Sequence, residues 1–143
     1  MTGSGSRIRR LPGVLEAALA LSWARLRLLR RDGDQVLAEL PEVEDHPPLL
    51  PSEHEAPVRN VSRALAAARR RLPWESTCLT QSLAAARMLR RRGIPGQLLI
   101  GVEQDVSGRL QAHAWVRAGD IIVCGGRREL PKVLAVHALR RDS

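Results

Sequence analysis

The sequence predicts an α+β fold in which a helical amino-terminal half packs on a small antiparallel sheet. Apolar residues recur at spacings of three and four over residues 11–31, 58–72 and 76–92, as in amphipathic helices. After Gly93 the period changes to two, and short turns separate the predicted strands 97–103, 110–118, 120–124 and 132–139. Helices followed by a run of strands are typical of an α+β domain.

The first predicted helix, residues 11–31, has a leucine-rich face. This face consists of Leu15, Leu19, Ser22, Leu26 and Leu29. Such a helix is either an ordinary core or lid helix, or an interface helix for a partner protein, and its basic carboxyl end could also contact an anionic membrane. Both interpretations remain open at this stage.

The segment 41–57 differs in composition from its surroundings. It contains five prolines and several acidic residues, so we expect an extended connection across the surface. His46 and His54 lie in it without companions at metal-ligand spacing, and we interpret them as solvated loop residues. The predicted division is an amino-terminal helix and connection at 1–57 and a core at 58–143, both within one compact domain.

A cysteine stands at the start of the third predicted helix. Ser76 or Thr77 can cap the amino end, which places Cys78 in the first turn. The unpaired N–H groups and the helix dipole favour a thiolate there and could hold an oxyanion. Cys124, on a predicted strand, is the rival nucleophile, but it lacks a helix amino end, so we favour Cys78.

A histidine lies on the second predicted strand. His113, Trp115 and Arg117 share one face of it. An imidazole on a strand that lies against a helix beginning with cysteine is the arrangement of papain-like and transglutaminase-like enzymes. His137 is the rival base, and we interpret it as a structural or edge-strand residue.

The ordered set of motifs resembles the transglutaminase-like leader peptidases of lasso-peptide biosynthesis. The motifs are Trp74-Glu75-Ser76-Thr77-Cys78-Leu79, Arg91-Arg92-Gly93-Ile94-Pro95, Leu99-Ile100-Gly101-Val102 and Ala112-His113-Ala114-Trp115-Val116. The resemblance implies that Cys78 attacks the bond between leader and core, and that His113 is its base. It also implies a precursor peptide as substrate, a small leader-binding partner protein, and a cyclase that acts afterwards.

The third catalytic position departs from the family pattern. Many relatives carry an aspartate at a place that here falls on Cys124-Gly125. If Gly119-Asp120 makes a tight turn, we expect Cys124 opposite His113 in the hairpin. Asp120 is our candidate for the orienting group, and Glu129, another acid or a backbone carbonyl remain alternatives.

Two tryptophans are candidate substrate-binding residues. Trp74 precedes the cysteine helix and could form a wall of the active site, although a packing role is equally compatible with its position. Trp115 lies two residues after His113, on the same face of its strand.

Composition limits the remaining functional classes. The net charge is +8, but the arginines cluster at helix ends without a nucleic-acid module or stacking aromatics, so we expect no nucleic-acid partner. We expect no metal, no cofactor and no integral membrane segment, and a cytoplasmic location where the two cysteines stay free. The rival functions are a non-catalytic module that binds and delivers the precursor, and a basic nucleic-acid binder.

Overall fold

The α+β fold predicted from the sequence is confirmed. A computed structural model describes residues 3–43, 45–125 and 132–139. Its helices are α1 Gly3–Arg30, α2 Gly33–Ala38, α3 Ser52–Arg71 and α4 Cys78–Arg91. Its strands are β1 Glu42–Val43, β2 Gln97–Gln104, β3 Leu110–Ala118, β4 Ile121–Cys124 and β5 Lys132–Ala138. They form one antiparallel sheet in the order β1-β5-β2-β3-β4.

The proline-rich segment is more ordered than the sequence predicts. Its first part supplies β1, where Glu42 pairs with His137 of β5. Its last part belongs to α3, which begins at Ser52 and includes Pro57. Pro57 has no N–H and so removes one backbone hydrogen bond from the helix. Glu53 and Glu55 in the first turn interact favourably with the helix dipole, which offsets part of that free-energy cost. The division at residues 57 and 58 stays a prediction.

Helix α1 buries alanines and exposes leucines. The side chains that pack against α3 and α4 are those of Ala17, Ala20, Leu21 and Ala24. The predicted leucine face points the other way: Leu15, Leu19, Leu26 and Leu29 are 62%, 64%, 55% and 73% exposed. Small residues let α1 approach its neighbours closely. The face of α1 that packs in the core is therefore the alanine-rich one, and not the predicted leucine face. We call the exposed row formed by these four leucines and Ser22 the leucine seam.

The sheet separates two apolar clusters. Leu98 and Val116 point to one face and pack with the buried residues of α1, α3 and α4. Leu99 and Trp115, their strand neighbours, belong to a second cluster together with Val136. Because side chains alternate along a strand, the second cluster lies on the sheet face away from the helices.

The hairpin between β2 and β3 confirms the predicted turn. Asp105 Oδ1 accepts hydrogen bonds from the N–H groups of Ser107 and Arg109, each at 2.9 Å. Gly108 has a φ of 82°, a left-handed conformation that suits glycine. In the next hairpin Cys124 lies opposite Val116 and not, as expected, opposite His113. The turn pairs Ala118 with Ile121, so an unbroken register would place Cys124 opposite Trp115, and a bulge with one extra residue on β4 shifts it to Val116.

Candidate active site

The start of α4 confirms the predicted cap. Thr77 is the capping residue, and its Oγ1 accepts a hydrogen bond from the Thr80 N–H at 3.1 Å. Cys78 is the first residue of the helix, and it is a free, partly exposed cysteine. A helix leaves its first N–H groups without internal partners, so the Cys78 thiol lies beside donors that can hold an anion.

The loop before Cys78 is fixed by a buried glutamine. Gln81 Nε2 donates to the carbonyl and to the hydroxyl oxygen of Ser76, each at 3.0 Å. Arg69 of α3 donates to Gln81 Oε1 at 2.9 Å. This network ties the loop to both helices and fixes the approach to Cys78. This network was not predicted from the sequence, although a glutamine at helical spacing from Ala85 and Met88 was a usable signal.

A cleft of about 440 Å³ adjoins this loop. We call it the Trp74 cleft, and its lining residues are Arg69, Leu72, Pro73, Trp74, Glu75, Ser76 and Gln81. The Arg25 guanidinium of α1 lies 4.6 Å from the centre of the Trp74 ring. Trp74 therefore lines a cleft four residues before Cys78, where a peptide could contact it, and it also packs against an arginine.

Cys124 lies beneath α4 and is a poor nucleophile. Its Sγ is 4.0 Å from the Ser82 hydroxyl, which itself donates to the Cys78 carbonyl at 2.8 Å. Burial raises the pKa of Cys124 to about 12, because a thiolate would lose its hydration there. The assignment of Cys78 as the nucleophile stays a prediction.

The buried thiol predicts a loss of stability at alkaline pH. The folded-state pKa of Cys124 lies above the ordinary value of 9.0, so its contribution is complete below that value and is lost as the pH rises towards 12. With one lysine and no tyrosine, the chain has few other side chains that titrate in this window. We expect the Cys124→Ser variant to lose less stability than the native chain between about pH 8 and 10.5 in urea unfolding. Equal losses would contradict the assignment.

His113 is held on the far side of the sheet. Its Nε2 lies 2.7 Å from the Gly125 carbonyl oxygen, and its ring stacks on Trp115 with centroids 5.8 Å apart. Trp115 belongs to the cluster on the face away from α4. The structure therefore does not bring His113 and Cys78 together: within the described residues, no hydrogen bond joins them.

The remaining predicted residues have different surroundings. Asp120 is exposed at the turn between β3 and β4. The group hydrogen-bonded to His113 is the Gly125 carbonyl, and a backbone carbonyl was one of the alternatives to Asp120. Glu129 lies outside the described residues. Trp115 is 1% exposed, so its indole packs inside the protein and offers no surface to a substrate. His137 is buried, with Nδ1 3.3 Å from the Leu40 carbonyl oxygen, in keeping with a structural role.

The described part of the chain lacks two features, a cluster of metal ligands and a membrane-spanning helix. Across residues 3–43, 45–125 and 132–139, no three histidine, cysteine or acidic residues are grouped so that they could hold a metal ion. Within the same ranges, no helix combines the length and apolar character needed to cross a membrane.

The chain matches a protein-family model over most of its length. The model of the transglutaminase-like superfamily matches residues 15–137, which is most of the chain. This superfamily includes cysteine peptidases and transglutaminases. No curated protein and no solved structure matches the chain significantly.

Proposed function

The chain belongs to the transglutaminase-like superfamily, and on that basis we propose that it is a cysteine peptidase whose nucleophile is Cys78. The observation that carries this proposal is the position of the thiol. Cys78 is the first residue of a capped helix, it is partly exposed, and it follows a loop that lines the Trp74 cleft. A cleft lined by the loop that precedes a thiol at a helix amino end suits a peptide substrate.

The substrate we propose is the precursor of a lasso peptide, cleaved between leader and core. The motif resemblance supports this choice, together with a separate leader-binding protein and a cyclase as partners. A reducing cytoplasm would keep Cys78 as a free thiol, and we propose that the reaction takes place there.

The chemistry proceeds through a thioester. The Cys78 sulfur attacks the scissile carbonyl carbon, and the carbonyl oxygen becomes an oxyanion near the first N–H groups of α4. The scissile C–N bond then breaks, and the amine of the core peptide leaves with the proton that the Cys78 thiol gave up. Water then attacks the thioester, which releases the leader as a carboxylic acid and restores the thiol. These steps need no cofactor.

His113 is the proposed base, and its role requires a rearrangement. In the structure its ring is bonded to the Gly125 carbonyl and stacked on Trp115, on the face opposite α4. A rotation of the side chain alone does not carry a ring from one sheet face to the other. Proton transfer from Cys78 therefore depends on a local change in β3 when the precursor or the partner binds.

The position of His113 also favours a second candidate function. A transglutaminase-like domain whose imidazole stays on the far face would bind and deliver the precursor without cleaving it. The two functions share a fold and a cleft, and they differ in whether a covalent step occurs.

Mass spectrometry of a precursor incubated with the chain and the leader-binding protein distinguishes these functions. For a peptidase we expect two fragments whose masses sum to the precursor plus one water. The His113→Gln variant should then cleave at least about 100-fold more slowly. Binding of an intact precursor, without fragments, would support the delivery module instead. Cleavage unaffected in His113→Gln would remove His113 from the mechanism.

A further inference from the structure

Helix α1 is apolar on two opposite faces. With about 100° between successive residues, the buried alanine face and the leucine seam point about 170° apart around the helix axis. One face packs on α3 and α4, and the other is open to solvent. A helix that is apolar on two sides is normally buried on both. The exposed leucines therefore indicate a surface that another element covers.

The leucine seam has the spacing of a coiled-coil interface. From Leu15 to Leu29 its members are separated by four, three, four and three residues, as are the a and d positions of a heptad repeat. A row restricted to these positions is narrower than the face a helix needs to join a domain core. This pattern fits a single partner helix lying along α1.

A groove adjoins the amino-terminal half of the seam. Its volume is about 520 Å³, and its lining residues are Leu15, Glu16, Leu19, Ala20, Trp23, Arg87, Met88 and Arg91. The lining residues come from α1 and α4, so an occupant would contact two helices of this chain. A hydrophobic groove beside an exposed helix face is the usual setting for recognition of an amphipathic helix.

The charges around the seam select the kind of partner. Arg25 and Arg30 flank the carboxyl-terminal half of the seam, one on each side, and Arg87 and Arg91 border the groove. The acid at this border, Glu16, is engaged by the Arg92 guanidinium at 2.7 and 2.9 Å, which holds the pKa of Glu16 below its usual range. A second copy of this chain would bring like charges together, whereas acidic residues on the partner would match them.

We propose that the leucine seam of α1 is the docking site for an acidic amphipathic helix of another protein, with apolar residues at heptad spacing and glutamate or aspartate beside them. Arg25, at one edge of the seam, stacks on Trp74. A helix bound there would therefore lie next to the Trp74 cleft. The docking site does not depend on Cys78 being a nucleophile.

A designed peptide tests the proposal. The probe is a fluorescein-labelled helix of about four heptads with leucine at a and d and glutamate at e and g, and its control carries lysine at e and g. Fluorescence anisotropy with the full chain should show binding of the glutamate peptide at least about tenfold tighter than of the lysine peptide. Arg30→Glu, at an exposed position, should weaken the glutamate peptide and not the control.

Substitutions that leave the net charge unchanged distinguish binding at the leucine seam from general electrostatic attraction between a basic protein and an acidic peptide. Replacing both Leu19 and Leu26 by serine should weaken binding by about tenfold per leucine, because each loses apolar contact area. The matched control is Leu49→Ser, since Leu49 is 96% exposed in a connecting segment away from α1. Circular dichroism should show unchanged helix content in both variants.

Three results would overturn the proposal. The first is that the glutamate peptide does not bind, or binds the double serine variant as tightly as the native chain. The second is a dimer of the chain alone in sedimentation, lost in the double serine variant, which would make a second copy the occupant. The third is seam-dependent binding to phosphatidylglycerol vesicles without binding of the peptide, which would assign the surface to a membrane.

Discussion

Replacing Cys78 by alanine is expected to abolish cleavage of the precursor, with a fall in rate of at least about 10³-fold. The thioester forms on the Cys78 sulfur, so no later step can proceed without it. Because the side chain is partly exposed at a helix start, alanine leaves no large cavity and the fold should persist. The rate is followed by mass spectrometry and the fold by circular dichroism.

Cys124→Ser is the matched control for this prediction. Cys124 is also a free cysteine near α4, but its thiol is held protonated by burial, with a pKa of about 12. We expect this variant to keep most of its cleavage rate. With native protein at neutral pH, iodoacetamide should modify Cys78 and leave Cys124 unmodified. Loss of cleavage in Cys124→Ser but not in Cys78→Ala would make Cys124 the nucleophile. Full cleavage by both variants would show that neither cysteine is the nucleophile.

Replacing Trp115 by alanine is expected to lower the free energy of unfolding by about 3–5 kcal/mol. Its indole is 1% exposed and packs with Leu99 and Val136, and the ring lies over Gly101, where an added Cβ would come within 2.9 Å of it. Alanine would leave a cavity that the sheet cannot close. Denaturation by urea measures the change, with the slope of the transition checked for two-state unfolding.

Trp74→Ala is the matched control for Trp115. Trp74 is only partly buried, so its loss should cost about 1 kcal/mol or less of stability. The Trp74→Ala variant should instead have a raised KM for the precursor, because Trp74 lines the cleft before Cys78. A small stability loss in Trp115→Ala together with a raised KM would return Trp115 to the substrate-binding role predicted from the sequence.

Local signals were sufficient for the elements that carry the candidate nucleophile. A capping residue, Ser76 or Thr77, followed by apolar spacings of three and four predicted a helix with Cys78 in its first turn, and in the structure Thr77 is the cap and the helix begins at Cys78. The short turn predicted between two segments of period two is the β2–β3 hairpin. Such features depend on residues close together in the chain, so their physical causes are visible in the sequence.

Relations between elements were decided by the tertiary structure. Alternation along β3 predicted that His113 and Trp115 share a face, but it does not say which face packs on the helices. Leucine spacing in α1 predicted an apolar face that packs in the core. In the structure the alanines on the opposite face pack against α3 and α4 instead, because small side chains allow close approach. Likewise, the turn register together with one bulged residue places Cys124 opposite Val116, and the Gly125 carbonyl is hydrogen-bonded to His113.

The sequence alone determined the three long helices, strands β2 to β5 and the position of Cys78 in the first turn of a helix, since each follows from short-range hydrogen bonding and apolar periodicity. Only the tertiary structure decided the burial of Cys124, the placement of His113 away from α4 and the exposure of the leucine seam. These depend on which of two faces an element presents to its neighbours, and that choice is set by packing between residues distant in the chain.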